Sequence, residues 1–166
     1  MSTKARVAAL AVALTVTAAS APAAADAAGV RVQGSIATDT DGACSYEPGW
    51  PVLRWHCDGA TETYSGDLES TEPATFDVDG SFNFASGATI VRGTETFVGC
   101  VQGACGALEW TWHASYSADP VTAEPIRGRG QARITGGSGE LVGTEGSFRF
   151  RCVGNESCAY EGHLTW

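Results

Sequence analysis

Few side chains in this 166-residue chain could do chemistry, and the most unusually placed is Glu95. In IVRGTETFVG a strand's two-residue period puts Val91, Gly93, Glu95, Phe97 and Gly99 on one face. If Val91 and Phe97 point inward, the carboxylate goes with them; a one-residue slip would bury Arg92 and expose both apolar residues. Further on, Leu108, Trp110, Trp112, Ala114 and Tyr116 alternate with Ala107, Glu109, Thr111, His113 and Ser115, again a strand with one buried face. Tyr64 shares a face with Gly66 and Leu68 in TETYSGDLES. A carboxyl among Trp110, Trp112, Tyr64 and Tyr116 could orient a polar group on a small ligand, and these five residues form the candidate binding set. The alternative is a filled core in which Glu95 bonds an arginine or a tyrosine hydroxyl. Burial should raise its pKa unless an arginine reaches it.

Other chemistries find little support. His56, His113 and His163 are scattered, and the last two fall on polar strand faces. Ser138 has Glu140 where a nucleophile elbow needs glycine, no Ser-His-Asp set follows from spacing, and no catalytic residue is assigned. The C-x4-C and C-x5-C pairs lack the tightness and the histidine partners of a zinc site. Asp39-Thr40-Asp41-Gly42 opens like a calcium loop, but without the later ligands it reads as an Asx-type turn. The glycine spacing of Gly136–Gly146 leads into a strand, not a helix, so it is a poor phosphate cradle. Neither a metal nor another cofactor is expected.

Lys4 and Arg6, the apolar run Val7–Ala19 and the small residues Ala23–Ala27 have the form of a secretory signal peptide. The apolar run falls short of the roughly 20 residues that span a bilayer, so membrane insertion is not expected. The expected organisation is a leader over 1–27 and a single β-barrel domain over 28–166, secreted to the extracellular space. Six cysteines in an exported chain imply disulfides. Hairpin-like intervening sequences favour Cys44–Cys57, Cys100–Cys105 and Cys152–Cys158, since facing antiparallel positions lie within disulfide reach. Loss of the leader removes two basic side chains and one acidic one, taking the formal charge from −9 to −10, and leaves no lysine. That excludes Schiff-base chemistry and makes nucleic acid an unexpected partner. Asn155-Glu156-Ser157 matches a glycosylation sequon. The oligomeric state is left open.

These residues need strands to position them. Val30–Thr38 alternates as a first strand; the Cys44–Cys57 arm, with Pro48 and Pro51, reads as edge or loop. Thr61–Ser70 reads as a strand with Thr61, Thr63, Ser65, Asp67 and Glu69 wet. Thr75–Ser86 is expected as one bent strand or a small hairpin about Asp79-Gly80. The stapled hairpin Ala88–Tyr116 follows. In Ile126–Thr135, Arg127, Arg129 and Arg133 line one side, a stripe expected to pair with neighbouring carboxylates. Gly146–Cys152 and Cys158–Trp166 form a last hairpin, whose regular end should close against the first strand. No helical period occurs after residue 30. Strands this short and numerous imply an all-β sandwich or closed antiparallel barrel, and glycines inside the strands favour the barrel.

TETYSGDLES, IVRGTETFVG, GALEWTWHASY and GRGQARITGGSGELVGTEGSFRF resemble, in that order, the bacterial family called domain of unknown function 3224. The resemblance spans about Val30 to Trp166, and its most specific run is Gly137–Phe148. It implies an eight-stranded antiparallel barrel of the calycin or allene-oxide-cyclase-like kind. Glu95 falls where the family pattern has a glutamate, and Trp112 where a histidine is often found, so no histidine role carries over. The leader, the cysteines and the Cys44–Cys57 arm mark an exported, stapled branch. Three functions are consistent with this: an exported barrel binding a small apolar or aromatic ligand, a cofactor-free isomerase or cyclase using Glu95, and an extracellular structural or interaction protein with a filled core.

Overall fold

The computed structural model describes residues 29–40, 42–122, 124–154 and 157–166. The expected leader, Asp41 of the Asx-type turn, and Asn155 and Glu156 of the sequon lie outside the described residues. Among the described residues nine strands run antiparallel: β1 (Val30–Thr40), β2 (Ala43–Glu47), β3 (Val52–Gly66), β4 (Leu68–Asn83), β5 (Ala88–Val101), β6 (Ala104–Ala118), β7 (Pro125–Gly137), β8 (Glu145–Val153) and β9 (Ser157–Thr165). From β3 to β9 each strand pairs with the next, and β1 closes the circle between β9 and β3. β2 prolongs the line of β1 along the far half of β3, so eight strands go round the barrel.

Closure is achieved at the seam the sequence pointed to. β1 pairs with β9 from Val30 opposite Leu164 to Ala37 opposite Ser157, which leaves neither strand an open edge there. The three disulfides join the expected neighbours, each across directly facing strand positions with Cα atoms 4.0 Å apart. Between Cys100 and Cys105 the chain reverses through Gln102 and Gly103, both at positive φ, the geometry of a tight two-residue hairpin turn.

Two expected boundaries move. Thr61–Ser70 is not one strand: the chain reverses at Gly66-Asp67, where Gly66 takes φ 106° and the Asp67 amide bonds the Gln33 carbonyl of β1. Asp79-Gly80 is no turn but lies inside the bent strand β4, facing Trp55 and His56 on one side and Val91 and Arg92 on the other. Glycine there makes room for the Trp55 ring, since a Cβ at Gly80 would collide with it. The same device recurs inside the barrel. Trp112 lies over Gly93, Tyr116 over Gly128, Phe150 over Gly130 and Tyr160 over Gly34, each aromatic opposite its glycine on the neighbouring strand. Glycines within strands thus seat the rings that fill the interior.

The barrel has two unlike ends. At one, Val32, Leu68, Phe97, Val101, Leu108 and Leu164 have no exposed surface. The glycine-rich run after β7 forms a 3-10 turn, Gly139–Leu141, that brings in Leu141, also fully buried. Tyr160 Oη accepts the Leu68 amide at 2.8 Å and holds the β3–β4 turn to β9. At the other end lie the connections β2–β3, β4–β5, β6–β7 and β8–β9, and the interior is open.

Candidate functional site

The open half of the barrel holds a cavity of about 420 Å³. On each strand the alternation that buries the core also faces the cavity. Glu95 is the deepest β5 residue in its lining, Trp110 the deepest of β6, Tyr64 of β3 and Phe148 of β8. These four make the floor, with Phe97 and Leu108 packed below it. Tyr64 meets Trp110 edge-on at 5.5 Å and Phe97 at 5.7 Å, and Trp110 meets Phe148 at 5.2 Å. Higher up, Trp112 packs edge-on against Phe76 and Phe150. Tyr116 stands near the mouth, its hydroxyl 3.7 Å from Cys152 Sγ, and the Cys44–Cys57 and Cys152–Cys158 bridges line the upper wall. All five residues of the candidate set therefore border one cavity.

The floor also holds a second carboxyl that was not foreseen, Glu62. It lies two residues before Tyr64 on β3, so it faces inward with it, and that shared parity was the signal in TETYSGDLES that could have found it. Glu62 and Glu95 come from β3 and β5, with β4 between them, and their carboxyls lie within hydrogen-bonding reach of each other. Small Ala74, the β4 residue opposite Glu62, leaves space for this approach.

The donors around the pair are unevenly shared. Tyr64 donates its hydroxyl hydrogen to Glu62 Oε1 at 2.6 Å, and the Trp110 indole N–H donates to Glu95 Oε2 at 2.7 Å. Among the described residues Glu95 Oε1 is buried and meets no N–H or hydroxyl donor, and the Trp112 indole N–H is buried without an acceptor. Burial pushes the Glu95 carboxyl well above its usual range; the charge of Glu62 and the bond between the two carboxyls push it further, and the Trp110 donor and the neighbouring Tyr64 hydroxyl offset only part. Glu62 is raised mainly by burial, against its bonds to Glu95 and Tyr64. Two adjacent buried charges are costly, so the pair shares one proton, which supplies the hydrogen of the carboxyl–carboxyl bond. Among the described residues no arginine reaches the pair.

The histidines take no part. His56 is half exposed on the outer surface, bonded to Asp79 at 2.9 Å and Asp58 at 2.7 Å, and His113 and His163 are exposed. Among the described residues no group of three or more His, Cys, Asp or Glu side chains is placed to hold a metal ion. The arginine stripe differs from expectation. Arg127, Arg129 and Arg133 on β7 are joined on the outer face by Arg149 and Arg151 of β8, and none of the five forms an ion pair among the described residues. For β7 the reason is register: Arg129 faces Arg151 on one side and Ser115 on the other, while Arg133 faces Ser147 and Thr111; Arg149 of β8 lies opposite Glu161, which pairs with Arg31 instead.

No family model and no curated protein matches the sequence. Among solved structures, the chain is similar to the crystal structure of a protein with unknown function from the DUF3224 family of Shewanella oneidensis MR-1. The TM-score is 0.60, at 17% sequence identity, over 82% of this chain and 96% of that one. The fold is that of a DUF3224 protein. At this identity the likeness carries the barrel and its strand order but no activity. The DUF3224-like barrel here carries three disulfides, which suit an extracellular or periplasmic protein.

Proposed function

We propose that this protein binds a small apolar or aromatic molecule, which enters at the open end and seats a polar group on the Glu62–Glu95 pair. The observation that carries the reading is the aromatic-lined cavity of about 420 Å³, within the size range of small-molecule sites and ending in convergent polar groups. The rim supports it: Tyr46, Trp50, Val121, Ile126 and Val153, all at the open end, are large apolar side chains left exposed. A filled core would have packed the interior above Glu95 as it is packed below. The test is titration with Nile red, an uncharged apolar dye that fluoresces on leaving water. Saturable fluorescence is expected for the parent protein. It should be lost in Val91→Phe, which puts a ring into the cavity while leaving the unfolding midpoint unchanged or higher. Undiminished binding by that variant would reject the reading.

A second reading, a cofactor-free isomerase, is favoured by the pair itself, which sets a carboxylate beside a carboxylic acid in an apolar site. Glu62 would take a proton from one carbon of an unsaturated ketone and Glu95 deliver one to another, moving the double bond with no net oxidation. Solvent deuterium incorporated by the parent protein and not by Glu95→Gln would support it; no incorporation by the parent would reject it.

A further inference from the structure

We propose, building on the pocket reading above, that the bound molecule is an amine: an aromatic or aliphatic body whose nitrogen donates hydrogen bonds to the Glu62–Glu95 carboxyl pair. Charge and the donors that the floor lacks both point to it. The cavity lining contains no arginine, lysine or histidine, and its two ionisable acids stand together on the floor. Asp39 adds a further negative charge to the field at Glu62. An anionic headgroup such as a carboxylate would arrive as an additional negative charge with no cation to meet it. Among the described residues Trp110 and Tyr64 are the donors to the buried pair, and a purely apolar molecule would leave Glu95 Oε1 with nothing beyond the proton the two carboxyls share. An amine supplies two or three N–H donors and, when protonated, the charge that balances one carboxylate. The walls suit the same group, because Trp110, Trp112, Phe76 and Phe148 offer aromatic surface to a cation entering the floor. The floor thus selects among ligands that the apolar walls alone would accept equally.

The experiment compares three molecules with one body and different heads: phenethylamine, phenethyl alcohol and hydrocinnamate, titrated calorimetrically into the intact protein at neutral pH, with Nile red as a control for the cavity itself. The amine is expected to bind at least about tenfold more tightly than the alcohol, with no measurable binding of the acid. Glu95→Gln or Glu62→Gln, checked for native circular dichroism, should weaken the amine about tenfold while changing the alcohol by less than about threefold. Saturable Nile red binding with the acid or the alcohol as tight as the amine would overturn the amine assignment and leave the pocket standing. Failure of all four probes would overturn both. The comparison on the parent protein decides the matter even if neither variant folds.

Discussion

A carboxylic acid held neutral in an apolar site ties folding to pH, and the sign follows from which state keeps the proton longer. Between the unfolded glutamate value of about 4.3 and the raised folded value of Glu95, the folded chain holds a proton the unfolded chain has released. The contribution is therefore full below the unfolded value and is lost as the pH rises through the folded one. Glu95→Gln should flatten this part of the profile, measured as urea midpoints across pH 4 to 9; an unchanged difference from the parent protein would mean that Glu95 is not desolvated. The tryptophans divide by what lies beside them. Trp110 is enclosed by Tyr64, Phe97 and Phe148, so Trp110→Ala should cost about 3–5 kcal/mol. Trp112 borders the cavity and should cost less, while exposed Thr111→Ala should stay within about 0.5 kcal/mol. Alternation along β5 and β6 makes Glu95, Trp110 and Trp112 legible in the sequence. It applies equally to Glu62, which shares parity with Tyr64. The meeting of Glu62 with Glu95 is not legible there, because it depends on two strands that flank a third converging inside the barrel, and no local period encodes that.

Among the elements, hairpins were the easiest to read, because two cysteines at hairpin spacing fix a register that alternation alone leaves free. The Gly66-Asp67 reversal was missed for the opposite reason: alternation continues through Tyr64, Gly66 and Leu68 as though no turn intervened. The staples have different tasks. Cys100–Cys105 ties the closed end, whereas Cys152–Cys158 lines the cavity. Replacing Cys152 and Cys158 together by serine should cost about 2 kcal/mol, as expected for a short loop, and should speed amide exchange in the β8–β9 turn while leaving the β5–β6 turn unchanged. Equal exchange at both turns would mean the ends are not independent. β7 and β8 carry a different signature. Arg129 and Arg151 face each other as like charges, a destabilising cross-strand pair. Arg151→Glu should create an attractive pair and raise stability by roughly 0.2–1 kcal/mol, an effect that added salt should diminish.

Over the whole molecule the barrel is packed at one end and hollow at the other, and this asymmetry separates stability from binding. The closed end has Leu68, Val101, Leu108, Leu141 and Leu164 at zero exposure, with Leu141 delivered by the glycine-rich turn. The glycine spacing of that turn makes a poor phosphate cradle, and its physical role is to bring one leucine across the barrel's end. Removing a fully enclosed side chain costs its transfer free energy plus that of the cavity left behind, so Leu141→Ala should lose about 2–5 kcal/mol. Val78 also points inward but faces a space that is already empty, so Val78→Ala enlarges a cavity instead of creating one and should cost distinctly less. Urea denaturation of both variants, with Nile red titration of each, tests the division. Leu141→Ala should lower the midpoint and leave the dye's affinity unchanged wherever the protein remains folded, while Val78→Ala should alter the affinity more than the midpoint. If the two variants lose equal stability and neither changes dye binding, the upper half of the barrel is core like the lower, and the floor at Glu95 has no ligand to meet.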